Sequence, residues 1–319
     1  MIAFAVALLT LWVLLSRFGR MVLDRPNERS LHLRPVPRTG GVAVLLGAAA
    51  GAWTGATPLW LPALCAALLA LLSFIDDVRG VPTVLRFAAH LAAAALVSWY
   101  LLAPLPALGL ALSTLAIAWL TNLYNFMDGS DGLAGGMAVF GFGTYGVAAF
   151  SAGDQPLAVF SLSLMAAAAA FLIFNFAPAR IFLGDVGSVP LGFLAGALGL
   201  AGWRDEIWPW WFPLLVFAPF IADASFTLCK RALRGEPVWR AHREHYYQRL
   251  VRLGAGHRAT ALAAYLLMLV CAAGAWYARA QPLEVQAAVL AGSGALLVAA
   301  AVWIDVRWAR HSGPGQAAS

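Results

Sequence analysis

Apolar stretches alternate with short polar ones along almost the whole chain. They fall at about 2–17, 41–57, 59–75, 85–102, 107–121, 133–150, 157–176, 188–203, 209–228, 259–278 and 284–304. A helix needs roughly 17–25 apolar residues to cross a bilayer. The pattern therefore predicts an all-α, polytopic membrane helix bundle of about eleven transmembrane helices, forming a single domain over residues 1–319. The first run lacks a basic leading segment and a cleavage site of small residues, so it is expected to remain as a span.

The polar intervals then fix an orientation. With an odd number of spans and the N-terminus outside, the segments 17–40, 76–84, 122–132, 177–187 and 229–258 and the tail 308–319 share one side. Nearly all of the 21 Lys and Arg lie there, while the opposite side carries only Arg204 and Arg279, each near an acid. Cytoplasmic loops hold the excess of Lys and Arg. The N-terminus is thus expected to be periplasmic, the C-terminus cytoplasmic, and the polar clusters gathered at the cytoplasmic face.

Composition agrees. Hydrophobic residues make up 62%, charged residues 11%, and the mean hydropathy is +0.78, whereas soluble domains carry roughly a quarter charged residues. The net charge of +6 is accounted for by these loops and does not call for nucleic acid. Cys65, Cys229 and Cys271 have neither disulfide nor metal-site spacing and are expected to be buried thiols. The tryptophans fall mostly near span ends, as an interfacial belt does.

Against that apolar background, four polar clusters stand out. Asp76 and Asp77 close the third span, where adjacent carboxylates repel unless a cation neutralises them; metal binding or base catalysis suits them better than helix capping. Asn122, Asn125, Asp128 and Asp131 recur every third residue, so a helix would stack them along one edge, and glycines follow. Hard oxygen groups with few His or Cys nearby suit Mg²⁺ or Mn²⁺. Asp185 lies between Gly184 and Gly187 just before the eighth span, with Ser188 placed to cap the helix, and Asn175 is expected to face the same cleft. His242, Arg243 and His245 gather cations and donors fit for a diphosphate or nucleotide, with an anionic-lipid surface as the competing use. Arg29, Arg34 and Arg38 serve phosphate or orientation equally well, Asp223 serves function or structure, and His90 reads as helix packing.

Asp24-Arg-Pro-Asn, Gly40-Gly41, Asp76-Asp77, Asn122–Gly132, Asn175 with Phe182–Ser188, and His242–Gln248, in this order, together resemble the polyprenyl-phosphate N-acetylhexosamine-1-phosphate transferases, glycosyltransferase family 4. The resemblance implies ten or eleven helices, catalysis at the cytoplasmic face of a bacterial inner membrane, Mg²⁺ dependence, and transfer of a sugar-1-phosphate from a UDP-sugar to undecaprenyl phosphate with release of UMP. It places the magnesium ligand at Asp185, the catalytic pair at Asp76 and Asp77, and nucleotide-side residues at Asn125, Asp128 and Asp131. The family's muramyl-pentapeptide translocase has three consecutive histidines before Phe-Glu in its last large loop. This chain has His242-Arg-Glu-His-Tyr-Tyr-Gln248 instead, closer to the branch that starts O-antigen chains, which favours a simple UDP-N-acetylhexosamine such as GlcNAc or a 6-deoxy analogue. The expected partners are that donor, undecaprenyl phosphate and membrane lipid, with a homodimer as an option. Muramyl-pentapeptide transfer is the nearer alternative. An ion- or proton-coupled transporter is the alternative of another class, disfavoured because the acids sit at span ends rather than the bilayer midplane.

Overall fold

The computed structural model describes residues 1–18, 23–24, 31, 34–53, 59–103, 105–240 and 242–312. Arg20, Arg25, Pro26, Asn27, Arg29 and the tail 313–319 lie outside the described residues. The described chain is helical apart from one antiparallel hairpin of β1 (Leu23–Asp24) and β2 (Val36–Pro37). The helices are α1 (Ile2–Arg17), α2 (Gly40–Ala52), α3 (Trp60–Arg79), α4 (Thr83–Leu102), α5 (Ala107–Phe126), α6 (Leu133–Ser151), α7 (Gln155–Asn175) and α8 (Asp185–Arg204). They continue with α9 (Phe212–Val216), α10 (Ala218–Leu233), α11 (Tyr246–Leu250), α12 (Gly256–Ala278) and α13 (Leu283–Ser312).

Eight of the described helical runs are long and apolar enough to cross a membrane: α3 to α8, the run Tyr246–Ala278, and α13. Helices α1 and α2 are apolar but shorter. The ninth expected span, 209–228, is not one helix. It breaks at Phe217 into α9 and α10, because Pro219 brings no amide hydrogen to the Leu215 carbonyl of a continuous ladder. Other boundaries also move. Asp76 and Asp77 belong to the last turn of α3 rather than to a loop. Asn122 and Asn125 lie on α5, which stops at Phe126, so the three-residue stacking holds for the two amides and not for Asp128 and Asp131. Asp185 opens α8, whose N-cap is Gly184, and Ser188 sits in the first turn instead of capping it.

Helix α8 is the axis of the bundle, buried along nearly its whole length, whereas α13 is largely exposed. Its glycines let neighbours in: a Cβ on Gly192 would stand 2.5 Å from the Leu120 carbonyl of α5. Small residues of this kind are what permit close helix packing in a bilayer. Helix α6 packs mainly on α7, α5 on α8, and α2 on α1 and α7. A 20-residue helix is about 30 Å long, so the up-and-down path brings the C-terminal ends of α3, α5 and α7 beside the N-terminal ends of α2, α4, α6, α8 and α12. Eight of the 13 tryptophans are exposed, Trp53, Trp60, Trp99, Trp210 and Trp276 of them near helix ends, but Trp208 and Trp211 are buried, Trp208 stacking on Tyr145 and Phe212. Cys65 and Cys271 are buried as expected, whereas Cys229 is exposed.

Candidate active site

At the end of α3 the two adjacent acids each receive an arginine. Gly80, at φ 72°, stops the helix in a conformation that favours glycine. The chain then turns so that the Val81 amide donates to Asp76 at 2.7 Å and Arg86, one turn into α4, donates to it at 2.5 Å. Asp77 pairs with Arg38, just ahead of α2, at 2.9 Å. Both carboxylates are largely shielded, with side chains 14% and 6% exposed. Charge-assisted pairs of this kind are the strong hydrogen bonds of a site.

The start of α8 meets the end of α5. The Asn125 amide donates to Asp185 at 2.9 Å and to the Ser188 hydroxyl at 2.9 Å. Arg86 reaches Asp185 at 3.9 Å, so α3, α4 and α8 share one set of charges. Asp185 remains 36% exposed. Helix α2 fixes this turn from behind: the Gly40 and Gly41 amides donate to the Phe182 and Leu183 carbonyls at 2.9 and 2.8 Å. Asp128 accepts from the Gly184 amide; burial first, and then the charge of Asp185, push its carboxyl well above the usual range despite that hydrogen bond. Asp24 of the hairpin also acts on Asp77 and Asp128 through its charge.

The rest of the polar turn is bolted down. The Gly132 amide donates to Asn175 at 2.9 Å, and Asn175 donates to the Ile181 carbonyl at 2.9 Å. Asp131 is buried and accepts from the Ala179 amide at 2.9 Å. Tyr265 of α12 donates to the Gly132 carbonyl at 2.7 Å, and His257 faces Ser130 and Asp131. Asn122 spends its amide on the Ala118 carbonyl at 2.7 Å and hydrogen-bonds buried His90. Asn122, Asp131 and Asn175 thus shape the turn, while Asn125, Asp128 and Asp185 line the opening.

The histidine stretch reaches the same end through α11. His245 caps that helix with Gln248, and Asp223 accepts from the Tyr246 and Tyr247 amides at 2.8 and 2.9 Å and contacts His245 at 3.2 Å. Asp223 is therefore the anchor of this loop. Tyr247 then donates to the Phe126 carbonyl at 3.1 Å, setting the loop against the end of α5. His242 lies 4.8 Å from His245 between ring centres; burial, then the His245 and Arg231 charges, lower its pKa to about 4. Burial works against the Glu244 carboxylate, yet Arg234, Arg231 and Arg249 hold it below the usual range. Asp305, near the end of α13, pairs with Lys230 and with Arg249, the latter at 2.8 Å. Arg243 is exposed.

All four polar clusters expected from the sequence meet at one end of the bundle. Arg86, His257, Tyr265 and Asp305 are site or bracing residues that periodicity did not single out. Arg86 and His257 each lie within two turns of a glycine-broken helix start, a signal that could have flagged them. Among the described residues no group of three or more His, Cys, Asp or Glu forms a ready-made metal cage. Open Asp185, whose charge acts on both Asp77 and Asp128, instead suits a cation completed by water and substrate oxygens, the arrangement Mg²⁺ prefers.

The chain matches glycosyl transferase family 4 over residues 59–202. It is 30% identical over 290 residues to the "probable undecaprenyl-phosphate N-acetylglucosaminyl 1-phosphate transferase" of Bacillus subtilis (strain 168), covering 83% of this chain and 81% of that protein. It is also 30% identical over 313 residues to the decaprenyl-phosphate N-acetylglucosaminephosphotransferase of Mycolicibacterium smegmatis, covering 82% and 76%. Similarity to the phospho-N-acetylmuramoyl-pentapeptide-transferase of Latilactobacillus sakei is higher, at 41%, but spans 96 residues, 29% of this chain and 30% of the relative.

Proposed function

The chain belongs to glycosyl transferase family 4, the polyprenyl-phosphate N-acetylhexosamine-1-phosphate transferases, and from that premise we propose that it moves N-acetylhexosamine-1-phosphate from a UDP-sugar to undecaprenyl phosphate. The observation that carries this reading is the joining of Asp76, Asp77, Asn125, Asp128 and Asp185 into one charged opening beside the histidine loop. The donor is a UDP-N-acetylhexosamine of the GlcNAc or 6-deoxy type, and the product starts a lipid-linked O-antigen or another envelope glycan. The long match to N-acetylglucosamine-phosphate transferases, against a short one to the pentapeptide transferase, supports the simple sugar. The concentration of Lys and Arg at the site end supports catalysis at the cytoplasmic face of a bacterial inner membrane.

In this mechanism an oxygen of the lipid phosphate attacks the β-phosphorus of the donor. The bond from that phosphorus to the bridging oxygen breaks, and UMP leaves with the electron pair. Asp76 or Asp77 orients the attacking phosphate and takes its proton, and Arg86 and Arg38 are placed to pass from those carboxylates to incoming phosphate oxygens. Asp185 would hold Mg²⁺ or Mn²⁺, which when bound offsets the diphosphate charge and improves UMP as a leaving group, while Asp128 lines the nucleotide side. Asn125 keeps Asp185 aimed at the opening, and His242, Arg243 and His245 form the donor-side wall.

Purified protein with undecaprenyl phosphate and a panel of UDP-N-acetylhexosamines tests this by UMP release. Turnover should require Mg²⁺ or Mn²⁺, and Asp76→Asn and Asp185→Asn should each lower it by about a hundredfold or more while the protein still inserts. No UMP from any donor, or normal turnover in both variants, would overturn the assignment.

A further inference from the structure

His257 opens α12 directly after Gly254 and Gly256, whose φ angles are 94° and 71°. Those two turns swing the ring from the last loop back onto the turn that carries Asp128. Its Nδ1 lies 2.9 Å from the Ser130 hydroxyl and 3.3 Å from the Asp131 amide, and its Nε2 lies 3.4 Å from the Leu31 carbonyl of the first polar stretch. An amide can only donate, so Nδ1 must carry a lone pair, and the Ser130 hydroxyl becomes its second donor. The ring proton then sits on Nε2, facing the Leu31 carbonyl. The side chain is 21% exposed, and two turns further along α12 Tyr265 holds the Gly132 carbonyl.

From this geometry we infer that His257 is a positioning residue for the donor: its Nδ1 fixes the Ser130–Gly132 turn and thereby the placement of Asp128 opposite Asp185. The inference rests on reading that turn as the nucleotide side of the site. His257 touches no reacting group, so its loss weakens binding in the ground and transition states alike, which raises KM and leaves kcat nearly unchanged. Atom identity separates this role from bulk packing. The Oδ1 of asparagine can accept near the place of Nδ1, whereas the Nε2 of glutamine can only restore the donor toward Leu31.

The test compares His257→Ala, His257→Asn and His257→Gln in the full-length protein, with KM and kcat for UDP-GlcNAc, the thermal midpoint, and hydrogen exchange over residues 128–136. For alanine and glutamine, KM should rise about tenfold, the scale of losing hydrogen bonds at a shielded amide, with kcat within about threefold of the parent and faster exchange at Asp131 and Gly132. Asparagine should recover most of the KM and of the exchange protection. Unchanged KM in all three, a fall in thermal midpoint alone, or rescue by glutamine and not asparagine would overturn it. Failure of the underlying reading looks different: the parent protein itself would then release no UMP.

Discussion

Asp76 and Asp77 are neighbours in sequence but not equivalent in space. Asp76 is tied to Val81 and Arg86 within its own helical hairpin, whereas Asp77 reaches Arg38 from a distant part of the chain. Local stapling of one acid and long-range pairing of the other explain how two carboxylates stay side by side at a membrane edge. His242 shows the opposite economy. Burial beside His245 and Arg231 holds its pKa at about 4, against about 6.5 in an unfolded chain. The unfolded state therefore binds more protons between those two values, and stability falls as pH drops from 6.5 toward 4. At pH 5 the loss should be on the order of 1 kcal/mol after allowing for solvent screening. Glu244, held below its usual range, loses its contribution only at lower pH. The thermal midpoint in detergent should consequently fall more between pH 7.5 and pH 5 for the parent than for His242→Gln. Equal falls would show that His242 is not held neutral.

At the scale of elements, the N-terminal ends of α2 and α8 touch backbone to backbone. A Cβ on Gly41 would stand 2.3 Å from the Gly187 amide nitrogen and 2.8 Å from the Leu183 carbonyl, and backbone atoms cannot step aside as a side-chain tip can. Gly41→Ala should cost about 1–3 kcal/mol as an overpacked contact and also push the first turn of α8, and Asp185 with it, away from Asn125. Donor turnover should fall by more than the loss of folded protein accounts for, measured per correctly folded molecule by size-exclusion profile and UMP release. Turnover per folded molecule equal to the parent would separate the glycine pair from the site. This contact also marks where reading the sequence stopped. Hydropathy located most of the spans, and charge asymmetry grouped the four clusters on one side, because both are properties of single segments. Pro219 is visible in the sequence, yet apolar residues run on either side of it, so apolarity alone joins α9 to α10. Helix α5 ran on past the apolar stretch because Asn122 finds its partners inside the bundle, at Ala118 and His90. Arg38 to Asp77, His257 to Asp131 and Asp305 to Arg249 join residues far apart in the chain, and one sequence does not encode such pairs as a pattern.

Across the whole molecule, α8 links two chemically different ends. Asp185 opens it among the acids and arginines of the site, and Arg204 closes it beside Asp205, about 30 Å away along a 20-residue helix, which matches the hydrocarbon thickness of a bilayer. At that far end Arg279 donates to Ser151, tying α12 to α6. Helix α13, with 30 residues, is longer than one crossing needs, and its last turns carry Asp305 and Trp308 to Arg249 beside the histidine loop. The site end also holds the excess of Lys and Arg, and the proposed reaction puts that end in the cytoplasm. Cysteines added in a Cys229→Ser background, where the remaining Cys65 and Cys271 are buried, can check this. Glu206→Cys should react with a membrane-impermeant maleimide in intact cells, while Arg240→Cys should react only in inverted vesicles; both positions are exposed. The reverse pattern would put the acids outside, away from a cytoplasmic nucleotide-sugar, and the proposed reaction would lose its donor.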